Sequence, residues 1–363
     1  MKTTFENISI KGIVSCFPQT RVENSSLYAT FGETEIDKMS KMTGIQSRPV
    51  VDDETCTSDL CYCAAKKLLA SLEISPTSID ALIFVSQTPD YILPPTSHVL
   101  HERLGLATDA AVFDVNLGCS GYTYGLWLAS SLLQGQIDRV LLLVGDTCSK
   151  FTSDQDRSTF PLFGDAAAAT IVENDSNSGS AHFVLGSDGG GANNLIIKAG
   201  GFRDPRRGAA LQRIEGADGN LRKDDELFMN GQEVFTFTLN TVSPLIDALL
   251  EYTNSQIENV DYFVFHQANE FMLKHLAKKA GIPEEKMPLT MANFGNTSSA
   301  SIPLTICQKL KEKFSNQTPK LAMFGFGVGL SWGAAMIESP IAVIDSIEFP
   351  DTRDVQANRE AAT

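Results

Sequence analysis

The sequence predicts an α/β protein built from two copies of one αβ unit, and three observations carry that expectation. Short apolar runs of strand length alternate with helical stretches. The order of those runs repeats: Ile79-Asp-Ala-Leu-Ile-Phe-Val-Ser-Gln87 resembles Val260-Asp-Tyr-Phe-Val-Phe-His-Gln267, Gly118-Cys-Ser-Gly121 resembles Gly295-Asn-Thr-Ser298, and Arg139-Val-Leu-Leu-Leu-Val-Gly145 resembles Lys320-Leu-Ala-Met-Phe-Gly325. Three blocks in one order at nearly one offset point to a duplication. Finally, 363 residues exceed what a single core fills efficiently, so two parts are expected.

Taken in chain order, buried strands are expected at 80–86, 110–115, 140–145 and 166–172, where Val, Ile, Leu and Phe run on without polar alternation. Helices are expected at 60–72 and 122–133, and again at 271–280. The stretch 174–230, with Gly189-Gly-Gly191 and the charged run Arg203 to Arg207, reads as long loops and hairpins between the halves, of the kind that line a substrate channel. The division expected is a first half at 1–178, a second at 179–340, and a polar C-terminal tail at 341–363.

Composition narrows the function. The chain is 20% charged and 43% hydrophobic, ordinary globular proportions, and its formal net charge is −15. That balance argues against nucleic acid as a partner, because phosphate recognition needs a surplus of cations. No apolar run approaches the roughly 20 residues that span a bilayer, and Met1 to Glu6 lack the order of a signal peptide, so no membrane insertion and a cytoplasmic location are expected. The seven cysteines include no C-x-x-C pair and sit mostly in apolar runs, as reduced core thiols do.

One of them differs from the rest. Cys119 lies in Asp114-Val-Asn-Leu-Gly-Cys-Ser-Gly-Tyr122, which joins a strand end to a helix rich in small residues. A helix N-terminus there is expected to lower the thiol pKa, and the neighbouring glycines let a substrate carbonyl approach. A buried structural cysteine is the other reading of the same residues. His266 ends the strand-like run from Tyr262, where sites on αβ folds collect, although a lone histidine is also a common structural residue. Asn296 occupies the position in the second copy that Cys119 holds in the first; a helix cap is its alternative role. The repeat would bring all three together. Gly325-Phe-Gly-Val-Gly-Leu-Ser-Trp-Gly333 is glycine-rich but carries no dinucleotide or P-loop fingerprint.

With these residues in view, the chain resembles the thiolase superfamily and, within it, β-ketoacyl-acyl-carrier-protein synthase III. The motifs that carry the resemblance are Gly118-Cys-Ser-Gly121, Phe163-Gly-Asp-Ala166, His266-Gln-Ala-Asn269, Gly295-Asn-Thr-Ser298 and Gly327 to Gly333, spread over about residues 8 to 338. The resemblance implies a thiolase-like five-layered αβαβα fold and a homodimer. It implies that Cys119 takes up an acyl group from a thioester, with the Cys119 and Val328 amides as oxyanion hole. His266, neutral, and Asn296 would then hydrogen-bond a malonyl thioester as it loses CO2, making the protein an acyltransferase of Cys-His-Asn type. No permanently bound cofactor and no metal are implied; coenzyme A or phosphopantetheine thioesters are the substrates and acyl carrier protein the partner.

Departures from the family pattern bear on the substrate. Around Thr43-Gly-Ile45, Lys38 and Met42 stand where the family clamps coenzyme A with Trp and Arg, whereas Arg157 matches another coenzyme-contacting arginine. Leu93 matches a Phe that reaches the partner subunit's acyl pocket. Lys274, Lys278 and Lys279 recur at helical spacing, a candidate docking face for an acidic carrier or simply a solvated helix face. Two further readings stand beside condensation: a secondary-metabolite synthase or acyltransferase on the same scaffold, since Gly325-Phe-Gly-Val-Gly329 resembles the loop of plant-type polyketide synthases, and a non-catalytic partner subunit.

Overall fold

The structure, a computed structural model, describes residues 1–315 and 317–350. Two sheets lie at its centre. The larger has six strands in the order Val343–Phe349, Ile8–Pro18, Ala166–Asn174, Arg139–Asp146, Ala81–Val85, Ala111–Val115; the smaller has five, Lys2–Phe5, Ala181–Ser187, Ser331–Glu338, Lys320–Gly327, Tyr262–Phe265. Helices Gly121–Leu132 and Ser301–Lys309 fill the space between the sheets. Thr57–Ser71 and Thr96–Leu104 cover the outer face of the larger sheet, and Gly231–Tyr252 packs over the outer face of the smaller one beside Glu270–Ala280. These are the five layers αβαβα.

Layering explains the continuous apolar runs. Ile83, Val85, Val140, Leu142 and Val144 point into the central cluster with Tyr122 and Ile302, while Leu82, Phe84, Leu141 and Leu143 point outward against Leu60, Ala64 and Leu68. Successive side chains alternate faces, and both faces are covered, so every position is apolar. The duplication is visible in the pairing. Ala81–Val85 runs parallel to Arg139–Asp146 as Tyr262–Phe265 runs parallel to Lys320–Gly327. Among the described residues, Ala111–Val115 has no counterpart strand in the smaller sheet. Just past the end of Tyr262–Phe265, the Gln267 side chain links that strand to the 288–290 segment, its Nε2 donating to Phe265 O at 2.8 Å and its Oε1 accepting the Thr290 N–H at 2.9 Å.

Two expectations are corrected. The polar tail does not begin at 341: Val343–Phe349 is a strand parallel to Ile8–Pro18, with Ser346 Oγ 2.8 Å from Ser15 Oγ. It was unreadable because an edge strand needs few apolar residues, and Asp345, Ser346 and Glu348 interrupt its pattern. Residues 351–363 of the expected tail lie outside the described residues. The loop region 174–230 also loses its first part, because Ala181–Ser187 is a strand inside the smaller sheet, and the irregular connection starts at 188. The termini therefore cross over, the first strand joining the second half's sheet and the last strand the first half's. Ending the chain at Ala342 would bare the Ile8–Pro18 edge, and we expect the melting temperature to fall by at least about 5 °C in a thermal melt; an unchanged melt would show that the strand adds nothing.

Candidate active site

Cys119 sits in the turn between strand Ala111–Val115 and the central helix Gly121–Leu132, at 7% exposure. The glycine-rich strand end from the other half packs directly on it. A Cβ on Gly325 would lie 2.9 Å from the Cys119 carbonyl oxygen, and one on Gly327 only 2.7 Å from Cys119 Cβ and 3.0 Å from Sγ, so neither position admits a side chain. Ser120 Oγ meets Ser331 Oγ at 2.7 Å, and Ser331 Oγ donates to the Val328 carbonyl at 2.8 Å, tying the cysteine turn to the Val328 turn. The amides of Val328 and Cys119 both face the sulfur.

The thiol is not the dipole-activated thiolate expected from the sequence. Burial and the nearby Asp146 carboxylate push its pKa up to about 12, outweighing the Ser298 side chain and the two amides, which act in the opposite direction. The helix proper starts two residues later, and the sulfur is enclosed. Alkylation of Cys119 by iodoacetamide is accordingly expected to accelerate about tenfold per pH unit from pH 7 to 10, since only thiolate reacts; a rate plateau near neutrality, read by peptide mass spectrometry, would contradict it.

His266 closes strand Tyr262–Phe265 and is 1% exposed. Its Nδ1 lies 2.7 Å from Ser301 Oγ, and the Phe326 ring stands edge-on to it at 5.6 Å. Burial pushes its pKa down to about 3, against an opposing pull from the Ser298 backbone, so the ring is neutral across the working pH range. Asn296 is held by its backbone, its N–H donating to Leu162 O at 2.8 Å and its C=O accepting from Gly164 N–H at 3.1 Å. Its side-chain Oδ1 accepts the Ser298 N–H at 2.9 Å, which leaves Nδ2 as the free donor. It does not cap helix Ser301–Lys309, whose N-cap is Ala300.

All three line one cavity of about 640 Å³, whose outer lining includes Lys38, Met42, Arg157, Phe235 and Phe271. Arg157 is exposed, with its Nη2 donating to the Asp218 carbonyl at 3.2 Å. A second cavity, about 300 Å³, also reaches Cys119 and is lined by Cys148, Phe151, Ile196, Leu227 and Val328. Leu93 is not part of either lining within one chain; it is 76% exposed, beside the exposed Tyr91 and Ile92. Lys278 and Lys279 are exposed on helix Glu270–Ala280, while Lys274 is held by Glu270 at 2.7 Å.

A model of the family "3-Oxoacyl-[acyl-carrier-protein (ACP)] synthase III" matches residues 113–189, and one of that family's C-terminal part matches 250–339. The β-ketoacyl-[acyl-carrier-protein] synthase III of Clostridium perfringens is 34% identical over 335 residues, covering 92% of this chain and 99% of that protein. The chain belongs to the 3-oxoacyl-[acyl-carrier-protein] synthase III family. The synthase III of Staphylococcus saprophyticus is 35% identical, with 91% of this chain and 98% of that protein covered. The crystal structure of a 3-oxoacyl-(acyl-carrier protein) synthase from Burkholderia xenovorans superposes with a TM-score of 0.91 at 45% identity, over 96% of this chain and 99% of the other. Cys119 falls inside the first synthase III match, and His266, Asn296 and Val328 inside the second.

Sequence reasoning missed several residues that build this site. Ser301 orients the histidine, Asp146 and Ser298 flank the cysteine, and buried Arg48 donates to the Phe163 carbonyl at 2.8 Å next to the Phe163 and Asn296 pairing. Asp165, quoted above only within a motif, accepts from Val51 N–H and Ser149 N–H at 2.9 Å each and so ties three segments beneath the site; burial raises its pKa to about 6. A buried polar residue of this kind is signalled in sequence only by standing where a strand begins or ends.

Proposed function

We propose that the chain catalyses decarboxylative Claisen condensation of a Cys119-bound acyl group with a malonyl thioester. The observation that carries this is the convergence of Cys119, from the first half, with His266 and Asn296, from the second, on one deep cavity. The acyl thioester of coenzyme A or of a carrier's phosphopantetheine enters along the larger cavity, with Arg157 at its mouth for the cofactor's phosphates or base. Cys119 Sγ attacks the carbonyl, whose oxygen takes hydrogen bonds from the Cys119 and Val328 amides. The acyl chain lies in the smaller apolar cavity, and Leu93 of a second copy reaches towards it in a homodimer; the exposed Tyr91, Ile92 and Leu93 support that assembly.

In the second half-reaction the malonyl thioester oxygen faces His266 and Asn296 Nδ2. This role requires the imidazole proton on Nε2, with Nδ1 accepting from the Ser301 hydroxyl 2.7 Å away. As CO2 departs, its electron pair moves into the enolate, whose oxygen both donors stabilise. The enolate carbon then attacks the acyl carbonyl, expelling the Cys119 sulfur and leaving a β-ketoacyl thioester. Acyl carrier protein, acidic by nature, docks at Lys278 and Lys279, with Lys274 contributing less because Glu270 neutralises it. A cytoplasmic location fits these substrates, and among the described residues no helix is long and apolar enough to cross a membrane.

The relatives named above are all synthases of this type, which favours condensation over a secondary-metabolite acyl transfer or a non-catalytic subunit. The test is product analysis: purified protein given acyl-CoA and malonyl-acyl-carrier protein releases CO2 and forms a β-ketoacyl thioester. Absence of CO2 release with both malonyl-CoA and malonyl-carrier, across acyl donors of several lengths, would overturn the reading.

A further inference from the structure

Two side-chain amides on the wall of the smaller cavity keep hydrogen-bonding capacity that the chain leaves unused. Gln87 lies just past strand Ala81–Val85 and Asn116 just past its parallel neighbour Ala111–Val115, at the carboxyl ends of adjacent strands, where ligands of αβ sheets collect. Both line the cavity of about 300 Å³ that reaches Cys119. The Gln87 backbone is pinned by its N–H, which donates to Asp146 Oδ1 at 2.7 Å. Its Oε1 packs against the residue before the nucleophile: a Cβ on Gly118 would lie 2.3 Å from that oxygen and 3.1 Å from Val328 Cγ1. Gln87 Nε2 donates to Asn116 Oδ1 at 3.3 Å, the one hydrogen bond these two side chains make among the described residues. Whichever way the amides are turned, a pair joined by one such bond keeps a carbonyl oxygen and an amide nitrogen free. The second copy supplies a contrast. Gln267 holds the repeat position of Gln87, and there both side-chain atoms are taken by backbone, Nε2 by Phe265 O and Oε1 by the Thr290 N–H.

We infer that Gln87 and Asn116 bind a hydroxyl of the acyl donor, so that Cys119 carries a short hydroxyacyl group with its oxygen on the second or third carbon. This rests on Cys119 being the nucleophile and on the smaller cavity being the acyl site. A hydroxyl both donates and accepts, and so satisfies the free carbonyl oxygen and the free amide nitrogen together; a ketone only accepts, and a methylene does neither. The place along the chain follows from Gly118. Because Gln87 Oε1 lies against that residue, next in sequence to Cys119, the free groups flank the start of a Cys119-bound chain. Elsewhere the wall is apolar, with Phe151, Leu195 and Leu227 packed in one cluster with Cys148 and Phe163, which suits a hydrocarbon remainder. A plain alkanoyl group would strip water from the two amides and return no hydrogen bond. A fully enclosed site built to bind a hydroxyl rejects the analogue without it by about 10⁴-fold. Here Gln87 is partly buried and Asn116 exposed on the single chain, so water offsets part of the loss, and the discrimination expected is about tenfold or more.

The experiment follows single-turnover acylation of the full chain by intact-mass spectrometry. The donors are butyryl, 3-oxobutyryl and each enantiomer of 2-hydroxybutyryl and 3-hydroxybutyryl, as coenzyme A and as carrier-protein thioesters. Wild type is compared with Gln87→Met and Asn116→Leu, which keep most of the side-chain volume and lose the amide, with thermal melts to establish folding. The best hydroxy donor should acylate wild type about tenfold or more faster than butyryl, and faster than 3-oxobutyryl. In each variant the ratio of that donor to butyryl should fall to within about twofold of one. Wild type that takes butyryl as fast as every hydroxy donor would overturn the inference, as would a hydroxy preference that both folded variants retain. Should neither variant fold, the wild-type ratio alone decides. Absence of an adduct from every donor, butyryl included, would instead overturn the reading of Cys119 as nucleophile, a separate result.

Discussion

Cys119→Ala is expected to carry no acyl adduct after incubation with a labelled acyl-CoA, and to lose condensation by about 10⁴-fold or more. Both cavities meet at this sulfur, and the Cys119 and Val328 amides aim at it, so no other thiol can substitute. Cys148, which lines the smaller cavity, is the only rival close by among the described residues, and burial with the carboxylates of Asp146 and Asp165 beside it holds it firmly as a thiol. The fold should survive, because the side chain lost is small and Gly325 and Gly327 still pack on the turn backbone. Intact-mass spectrometry checks the outcome: an adduct of the acyl mass on the variant would contradict the assignment.

His266→Ala and Asn296→Ala are expected to separate the half-reactions. In the proposed reaction each removes one donor aimed at the charge that develops as CO2 leaves, and loss of such a donor costs about 10²- to 10³-fold in the chemical step. Acylation, for which the proposal assigns the amides of Cys119 and Val328, should remain within roughly threefold of wild type, because neither side chain lies on that path. Asn296 carries the sharper test. Its Oδ1 is already committed to the Ser298 amide, so Asn296→Asp, which keeps that acceptor and loses the Nδ2 donor, should be as impaired as the alanine variant. Condensation kinetics measured on pre-acylated enzyme check this, and an Asn296→Asp variant with wild-type CO2 release would contradict the donor role.

Much of this is legible in the sequence. The duplication showed in block order, and the strands expected at 80–86 and 140–145 lie at Ala81–Val85 and Arg139–Asp146, because burial on both faces leaves a signal too continuous to miss. Val343–Phe349 escaped because Asp345, Ser346 and Glu348 resemble loop composition, and Ala181–Ser187 because its apolar centre, Phe183 to Leu185, is short and set between serine- and glycine-rich flanks; only the partner strands supply the reason to extend them. In the site, Cys119, His266 and Asn296 could be singled out by their positions at strand and helix ends. The state of the thiol could not. A helix start suggests thiolate, but acidity is decided by what covers the sulfur, and the cover comes from Gly325 to Val328, some 200 residues further on. Asp146 was equally hidden, for its partner Ser299 is 153 residues away and nothing local distinguishes it from a strand-ending turn residue.

The most direct test of the account is a chase of isolated acyl-enzyme with malonyl-carrier protein in a single turnover. The adduct on Cys119 should disappear with one CO2 released and one β-ketoacyl thioester formed per adduct, and His266→Ala should hold its adduct through the same chase. An adduct discharged without CO2, or one that persists on wild type while product forms, would contradict it.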